Sequence, residues 1–494
     1  MHASRLRPFR IGLNPSAPVR LSRQTPLFRF FPTPTQALPT QFATLFAALF
    51  AALSISTLPS LILPPPAAAQ GLFSTPSASP TDTLRYTPFR IGVVPGISTV
   101  GVDPLDTRST YSLNLLFGVH GALTPLPDTS RRFRTAFELG LLGNVNTRYA
   151  EGAQITGLVN ASGGTADGFK LAGLANLSAS HAAGLHIAGL ANVSMGDLEG
   201  LMLSGLFSYS EQDMAGLGAF GLAGVARGSM EGLMVSGGLL ASPRMSGLFA
   251  SPVVVTEEGE GLFVSAISVS RSQSGLQAGV LNVSEVMEGL QFGYANVTSR
   301  MTGLQIGLLN VSQRAEGLQI GLLNVAQEFE GMPVGLLSIY GNGRLDVDVW
   351  NSDLGSLNLG LKLGTSEVYN MVSVGINPLL GPDVWQVGWS IGTPIPFKAA
   401  ADVADITDFS IFKLNDGAWD SAPSTHISLR YLRLRELAPE ARLYYGPTLN
   451  MLLLERGTDQ GRLEDAAPYR LFRIRGQEKE ASFWVGYTLG FELF

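Results

Sequence analysis

A glycine returns at a fixed short interval through the middle of this chain. Gly275, Gly289, Gly303 and Gly317 open four near-copies, GLQAGVLNVS, GLQFGYANVT, GLQIGLLNVS and GLQIGLLNVA, fourteen residues apart. The series runs back to Gly261 and Gly247 and forward to Gly331. Before that the step lengthens: Gly152, Gly168, Gly184, Gly200, Gly216 and Gly232 lie sixteen apart. A period this short, held this long, dictates a stacked architecture, because one unit cannot bury a face on its own. A helix is excluded, since glycine would fall in every turn.

Each unit reads as strand. After the first Gly comes Leu in most copies (Leu185, Leu201, Leu276, Leu304, Leu318), and two residues on a second apolar side chain (Ile187, Val235, Ile306, Ile320). The variable residue between them gives an in-out-in alternation with the aliphatics facing the core. That places Gln277, Gln291, Gln305 and Gln319 outward, as a candidate contact row. Met202, Met234, Phe249 and Phe263 occupy the same position in the middle units, either as part of that contact surface or buried beneath another part of the protein. The second Gly, five residues after the first in the long units (Gly173, Gly189) and four after it in the short ones (Gly307, Gly321), marks a corner; losing one residue inside a straight strand would flip every later side chain. An Asn row follows (Asn160, Asn176, Asn192, Asn282, Asn296, Asn310, Asn324), suited to turn geometry and to amide ladders between stacked copies.

Two architectures use such a unit. The first is all-β: a β-solenoid of 14–16-residue coils joined to antiparallel outer-membrane-type barrel strands. The alternative makes every unit an antiparallel strand of one large β-barrel. Single-unit recurrence of Gly, Leu, Gly and Asn favours the solenoid, because alternating strand direction would make the pair of units the natural repeat. The residue before the first Gly does alternate, as Glu199, Ala215, Glu231, Ser246, Glu260, Ser274, Glu288, Thr302 and Glu316. Stacked coils that keep Glu off Glu, roughly 5 Å apart, give the same pattern.

The flanks divide the chain further. Residues 1–69 read as an export signal: six arginines (Arg5, Arg7, Arg10, Arg20, Arg23, Arg29) precede the first acid, Asp82, and an apolar run from Phe42 to Leu63 ends in PPPAAAQ, with cleavage expected after Ala69. Residues 70–85 form a Ser/Thr/Pro-rich linker, 86–144 N-terminal strands or a cap, 145–340 the repeat array and 341–494 an antiparallel, barrel-like region. In this last part Leu357, Leu359, Leu361 and Leu363 oppose Asn358, Gly360 and Lys362, while Phe483, Val485, Tyr487, Leu489, Phe491 and Leu493 oppose Trp484, Gly486, Gly490 and Glu492. One apolar and one polar or small face suits an outer-membrane barrel strand or a soluble sandwich. The terminal aromatic Phe494 favours the former, although it lies one residue out of phase with the apolar face.

Several ordered motifs together resemble a family of bacterial surface-repeat proteins carrying Gly-Leu-Gln-Ile-Gly-Leu-x-Asn repeats. They are VVPGISTVG (Val93–Gly101), SLNLLFG (Ser112–Gly118), GLQIGLLNV (Gly303–Val311 and Gly317–Val325), LKLGTSEVYN (Leu361–Asn370) and WQVGWSIGT (Trp385–Thr393). The likeness covers residues 88–394 and departs most in the Asn-poor units of 200–270. What it implies is an outer-membrane or cell-surface location rather than an activity.

Little chemistry is legible. There is no cysteine, which excludes disulfides, thiolate metal sites and a lipid-anchored N-terminal Cys. Without the six leader arginines the basic residues, 33 in the whole chain, are well outnumbered by 39 acidic ones, so a nucleic-acid partner is not expected. His181 and His186 lie five apart on different rows, a poor metal pair. Asp346, Asp348 and Asp353 lack the glycine and closing Glu of a hand-type calcium loop. No G-x-S-x-G elbow, phosphate loop or carboxylate cluster occurs. The expectation is a non-enzymatic bacterial outer-membrane or cell-surface protein with a structural or adhesive role, without cofactor or metal. It would meet membrane lipid and a surface ligand, with barrel strands drawn from both ends of the mature chain. A pore is the alternative, and a secreted glycan-acting β-helix enzyme the remote one.

Overall fold

The computed structural model describes residues 85–94, 97–98, 107–120, 136–146, 150–354, 356–395, 403–417, 424–455 and 469–493, together with Leu463 and Ala467. The expected export signal, the cleavage point after Ala69, nearly all of the linker and the terminal Phe494 lie outside the described residues. The protein is all-β: a solenoid followed by a closed antiparallel barrel.

In the solenoid each strand pairs in parallel with its counterpart one coil away. Gly168, Gly184, Gly200, Gly216 and Gly232 stand in one register, and so do Phe169, Leu185, Leu201, Leu217 and Leu233. The register crosses the change of step without a fault, Gly232 opposite Gly247 and Gly247 opposite Gly261. From Val253 to Tyr340 the shorter coils run as almost continuous extended chain. Parallel neighbours overturn the alternative in which repeat units alternate around one large barrel. Glu199, Ala215, Glu231, Ser246 and Glu260 stack in sequence, so the alternating acids keep like charge off adjacent coils.

One coil shows how it is built. Ala182–Ala188 forms one side, Gly189–Leu190 the corner and Ala191–Ser194 the other side. Gly184 has φ +118°, and all thirteen repeat glycines from Gly152 to Gly331 share this left-handed sign. Gly184 is itself exposed, so three residues lie between the inward Ala182 and the inward His186 where strict alternation would place one. It also brings backbones together: a Cβ on Gly303 would lie far inside van der Waals contact of the Gly289 carbonyl oxygen.

The alternation has the opposite polarity from the one the sequence suggests. Leu304, Ile306, Leu308 and Leu309 point outward, and Gln305, Asn310 and Ser312 point in. Met301 and Gln305 are both inward, four residues apart, so the glycine between them interrupts the alternation without shifting its phase. The solenoid also begins earlier than expected. Arg85–Val94 pairs in parallel with Thr107–Asn114, that strand with Phe137–Gly140, and Phe137–Gly140 with Ala153–Thr156. The N-terminal strands are therefore coils, and the barrel is not drawn from both ends of the chain.

Eight strands make the barrel: Arg344–Ser352, Leu357–Gly364, Tyr369–Ile376, Val384–Pro394, Val403–Asp416, Ser424–Ala438, Ala441–Glu455 and Lys479–Leu493. Each pairs antiparallel with the next, and the last closes on the first, Leu493 opposite Val347 and Phe491 opposite Val349. The short strand Phe472–Arg475 adds to the last strand from outside this ring. The final coil of the solenoid rests on the barrel. Trp389 Nε1 donates to the Gly335 carbonyl at 2.7 Å, and Gly335 N–H donates to Asn370 Oδ1 at 3.1 Å.

Gly303→Ala forces both a disfavoured φ and a backbone collision, so it is expected to cost about 2 kcal/mol or more. Substituting the outward neighbour, Leu304→Ala, should cost under about 1 kcal/mol. Denaturant unfolding of the two variants in detergent, followed by far-UV circular dichroism, checks the order.

Candidate functional site

The position between the two outward aliphatics forms a single column through the solenoid. In register it reads Arg90, Ser112, Glu138, Gln154, Lys170, His186, Met202, Gly218, Met234, Phe249 and Phe263. It continues through Gln277, Gln291, Gln305 and Gln319. The eight residues considered as a contact surface are all in this column, and none is more than 1% exposed. For Met202, Met234, Phe249 and Phe263 the burial alternative holds; the Gln row, expected outward, is corrected to the interior.

Each Gln solves the burial of its neighbour. Gln291 Nε2 donates to Gln277 Oε1 at 2.8 Å, Gln305 to Gln291 at 2.8 Å and Gln319 to Gln305 at 2.6 Å. Tyr340 Oη, stacked on Phe329 with ring centroids 4.4 Å apart, donates to the last free oxygen, Gln319 Oε1, at 3.0 Å. A second ladder runs beside it. Asn282, Asn296 and Asn310 each donate to the next Asn at 2.8–2.9 Å and to a backbone carbonyl of the following coil at 2.9–3.0 Å. Asn324 ends this ladder on Ser338 Oγ, which also accepts from Asn370 of the barrel at 3.2 Å. An earlier stretch, Asn160 to Asn176 to Asn192, has the same form at 3.0 and 2.9 Å.

Between the two Asn stretches the ladder gives way to Ser208, Gly224, Leu240 and Val254. There the column is apolar as well, so Met202, Met214, Phe220, Met230, Met234, Leu240, Phe249 and Phe263 form one plug. Phe249 and Phe263 meet edge to face at 5.1 Å. Both rows change chemistry over the same coils, and at the boundary Asn192 finds acceptors in the backbone carbonyls of His186 and Leu203.

The N-terminal part of the column is charged. Glu138 accepts from Asn114 at 3.0 Å and from Gln154 at 2.6 Å. Lys170 Nζ donates to the Ala150 carbonyl at 2.7 Å. Burial pushes the Lys170 ammonium down to about 8, against the pull of Glu138, Asp167 and Glu151. Burial likewise lowers His186 from 6.5 to about 4; a backbone hydrogen bond at Ala183 opposes this and the nearby Lys170 charge adds to it. A cavity of about 10 Å³ adjoins Lys170 and His186, enough for one water. His181 is not part of this site. It lies on the turn edge with Asp197 at 3.6 Å and Glu199 close by, a partly exposed charge cluster.

The barrel interior is built from paired charge and aromatics. Lys362 Nζ bridges Asp348 at 2.8 Å and Glu492 at 2.6 Å, and Glu492 also receives Arg344 at 2.9 Å and Arg442 at 3.0 Å. Arg430 grips Asp408 with two hydrogen bonds of 2.9 and 2.8 Å, and Tyr369 Oη donates to the same carboxylate at 2.6 Å. Asp346 pairs with Arg344, and Asp353 accepts from Trp484 and Asn450. Asp346, Asp348 and Asp353 thus each meet a side chain of the barrel interior. Trp350, Tyr369, Phe412, Tyr444 and Trp484 fill the remaining space, and the cavity beside Arg430 and His426 holds only about 10 Å³.

Gln305→Leu leaves a donor on Gln319 and an acceptor on Gln291 unmatched, at an expected cost of about 3 kcal/mol, whereas Gln305→Asn should recover part of it. Chemical denaturation in detergent reads the difference. His186 supplies a pH signature. With its folded pKa below the unfolded value, stability is unaffected above about 6.5 and falls as acid is added down to about 4. His186→Gln should remove up to about 3 kcal/mol of that acid sensitivity, measured as the change in unfolding midpoint between pH 7 and pH 4.5.

Comparison of the chain with family models, with curated proteins and with solved structures returned no match.

Proposed function

We propose that this is a non-enzymatic outer-membrane repeat protein whose barrel is its membrane anchor and whose solenoid is a structural body held at that membrane. The observation that carries this reading is the polarity of the barrel wall. Leu443, Tyr445, Pro447, Leu449, Met451 and Leu453 face out along one strand, and Arg442, Tyr444, Thr448 and Asn450 face in. The outward run spans about eleven residues, the length a tilted strand needs to cross a bilayer. The last strand repeats the pattern with Phe483 to Leu493 outward and Glu480, Ser482, Trp484, Thr488 and Glu492 inward. In water this arrangement would expose the apolar face and bury the charges, whereas in lipid both choices are favourable. The arginine-rich leader, the lack of cysteine and the resemblance to surface-repeat proteins point the same way.

An anchor agrees with the packed interior better than a channel does. Eight strands leave just enough room for side chains, and here ion pairs and aromatic rings occupy it. A wide pore needs repeat units running in alternate directions, and theirs is uniform. The adhesive variant of this reading cannot use the buried Gln and Met/Phe positions, so any surface ligand would meet the outer rows or the turn edge.

Membrane fractionation of cells expressing the full chain is expected to recover it with the outer membrane, released by detergent but not by salt or carbonate. Purified protein in planar bilayers should give no discrete conductance steps. Recovery in the soluble periplasm would overturn the anchor, and steady ion-selective steps would overturn the plugged interior in favour of a pore.

A further inference from the structure

The outside of the solenoid is divided as sharply as its inside. At the corner, every coil places an uncharged residue after the second glycine or its equivalent. Gly238, Pro252 and Ala266 take the corner in three middle coils; from Leu158 the row otherwise runs Leu174, Leu190, Leu206 and Leu222, and then Val280, Tyr294, Leu308, Leu322 and Leu336. These are well exposed, Leu222 at 57% and Tyr294 at 62%. Their outward neighbours are also apolar, as Ile187 before Leu190, Ile306 and Leu309 about Leu308, or Ile320 and Leu323 about Leu322. The opposite edge, where each coil turns back, carries the charge. Arg227 reaches Glu211 at 2.7 Å, Arg271 reaches Glu285 at 3.9 Å and Arg314 reaches Glu328 at 2.5 Å, each pair joining successive coils.

A contiguous apolar edge of this length is not left bare by a protein in water. Its C-terminal end identifies what covers it. The Gly335–Leu336 corner packs on the barrel's outer face through Trp389 and Asn370, on strands whose outward row continues to the exposed Val374 and Ile376. The row therefore leaves a hydrocarbon-facing surface and continues from it. Inward amide ladders and coil-to-coil backbone pairing consume the polar groups behind it, as a surface in contact with acyl chains requires.

We propose that the solenoid lies against the bilayer along this corner row, Leu158 to Leu336, with acyl chains over the corner and the ion-paired turn edge in water. The partner is lipid hydrocarbon, and the mode is that of an interfacial amphipathic element, carried out by a stack of coils instead of a helix. The proposal rests on the barrel being a membrane anchor.

The chain has no cysteine, so single cysteines report cleanly. Leu222→Cys on the corner, Gln313→Cys on the turn edge and Leu449→Cys on the barrel wall would each carry an environment-sensitive fluorophore. The full chain is then reconstituted into phosphatidylcholine vesicles with and without brominated acyl chains. Quenching of at least twofold is expected at Leu222 and Leu449 and none at Gln313. Quenching at Leu449 without quenching at Leu222 overturns the corner contact and leaves the anchor standing; a second copy of the chain covering the corner would give this result too. No quenching at either position overturns both readings. Equal quenching at Leu222 and Gln313 overturns the one-sided arrangement.

Discussion

The buried polar ladders of the solenoid depend on identical side chains resting on one another in successive coils. A buried amide is costly alone and nearly free when the next coil supplies its complement, so Gln on Gln and Asn on Asn convert a liability into a continuous hydrogen-bonded strip. This explains why the two ladders stop together. At Met202 to Phe263 the column becomes apolar, and the Asn row becomes Ser208, Gly224, Leu240 and Val254 over the same coils. It also explains the caps: Tyr340 closes the Gln ladder and the barrel's Asn370 shares Ser338 with the Asn ladder. The junction between solenoid and barrel is thereby part of the hydrogen-bond system and not only a chain connection.

The glycine at the head of each unit serves the same stack in two ways. Its left-handed φ lets the chain turn between two inward side chains, and its missing Cβ lets one coil approach the carbonyl of the last. A solenoid normally hides its aliphatics. Here they are outside, and so are those of the barrel, which makes the two bodies consistent with one another. Both turn their polar rows inward and present hydrocarbon outward.

Much of the architecture was legible in the sequence. The fixed period, the corner at the second Gly, the Asn ladder and the apolar alternation of Leu357–Leu363 and Phe483–Leu493 each survive in the structure. What misled was the usual equation of apolar with buried. Leu304 and Ile306 look like core, and Gln305 between them looks like surface, yet the structure buries the Gln and leaves the aliphatics outside. The stronger signal was present all along: four consecutive units place Gln, and not a varied set of polar residues, between their aliphatics, and constancy of that kind implies that the Gln side chains touch. The role of Asn370 and the closure of Leu493 on Val347 could not be read, because both depend on partners far away in the chain. The expectation that the N-terminal strands join the barrel failed for a similar reason; strands such as Arg85–Val94 carry no mark of whether their neighbour runs parallel or antiparallel.

The stacking itself is open to a direct distance measurement. Spin labels on cysteines replacing Leu304 and Leu318, outward residues of adjacent coils, should lie on the order of 5 Å apart at the backbone and give strong dipolar broadening in continuous-wave spectra. The pair at Leu290 and Leu318, two coils apart, should broaden distinctly less. A spectrum for the Leu304 and Leu318 pair equal to the sum of the singly labelled proteins would mean that successive units do not lie side by side in register, and would contradict the account.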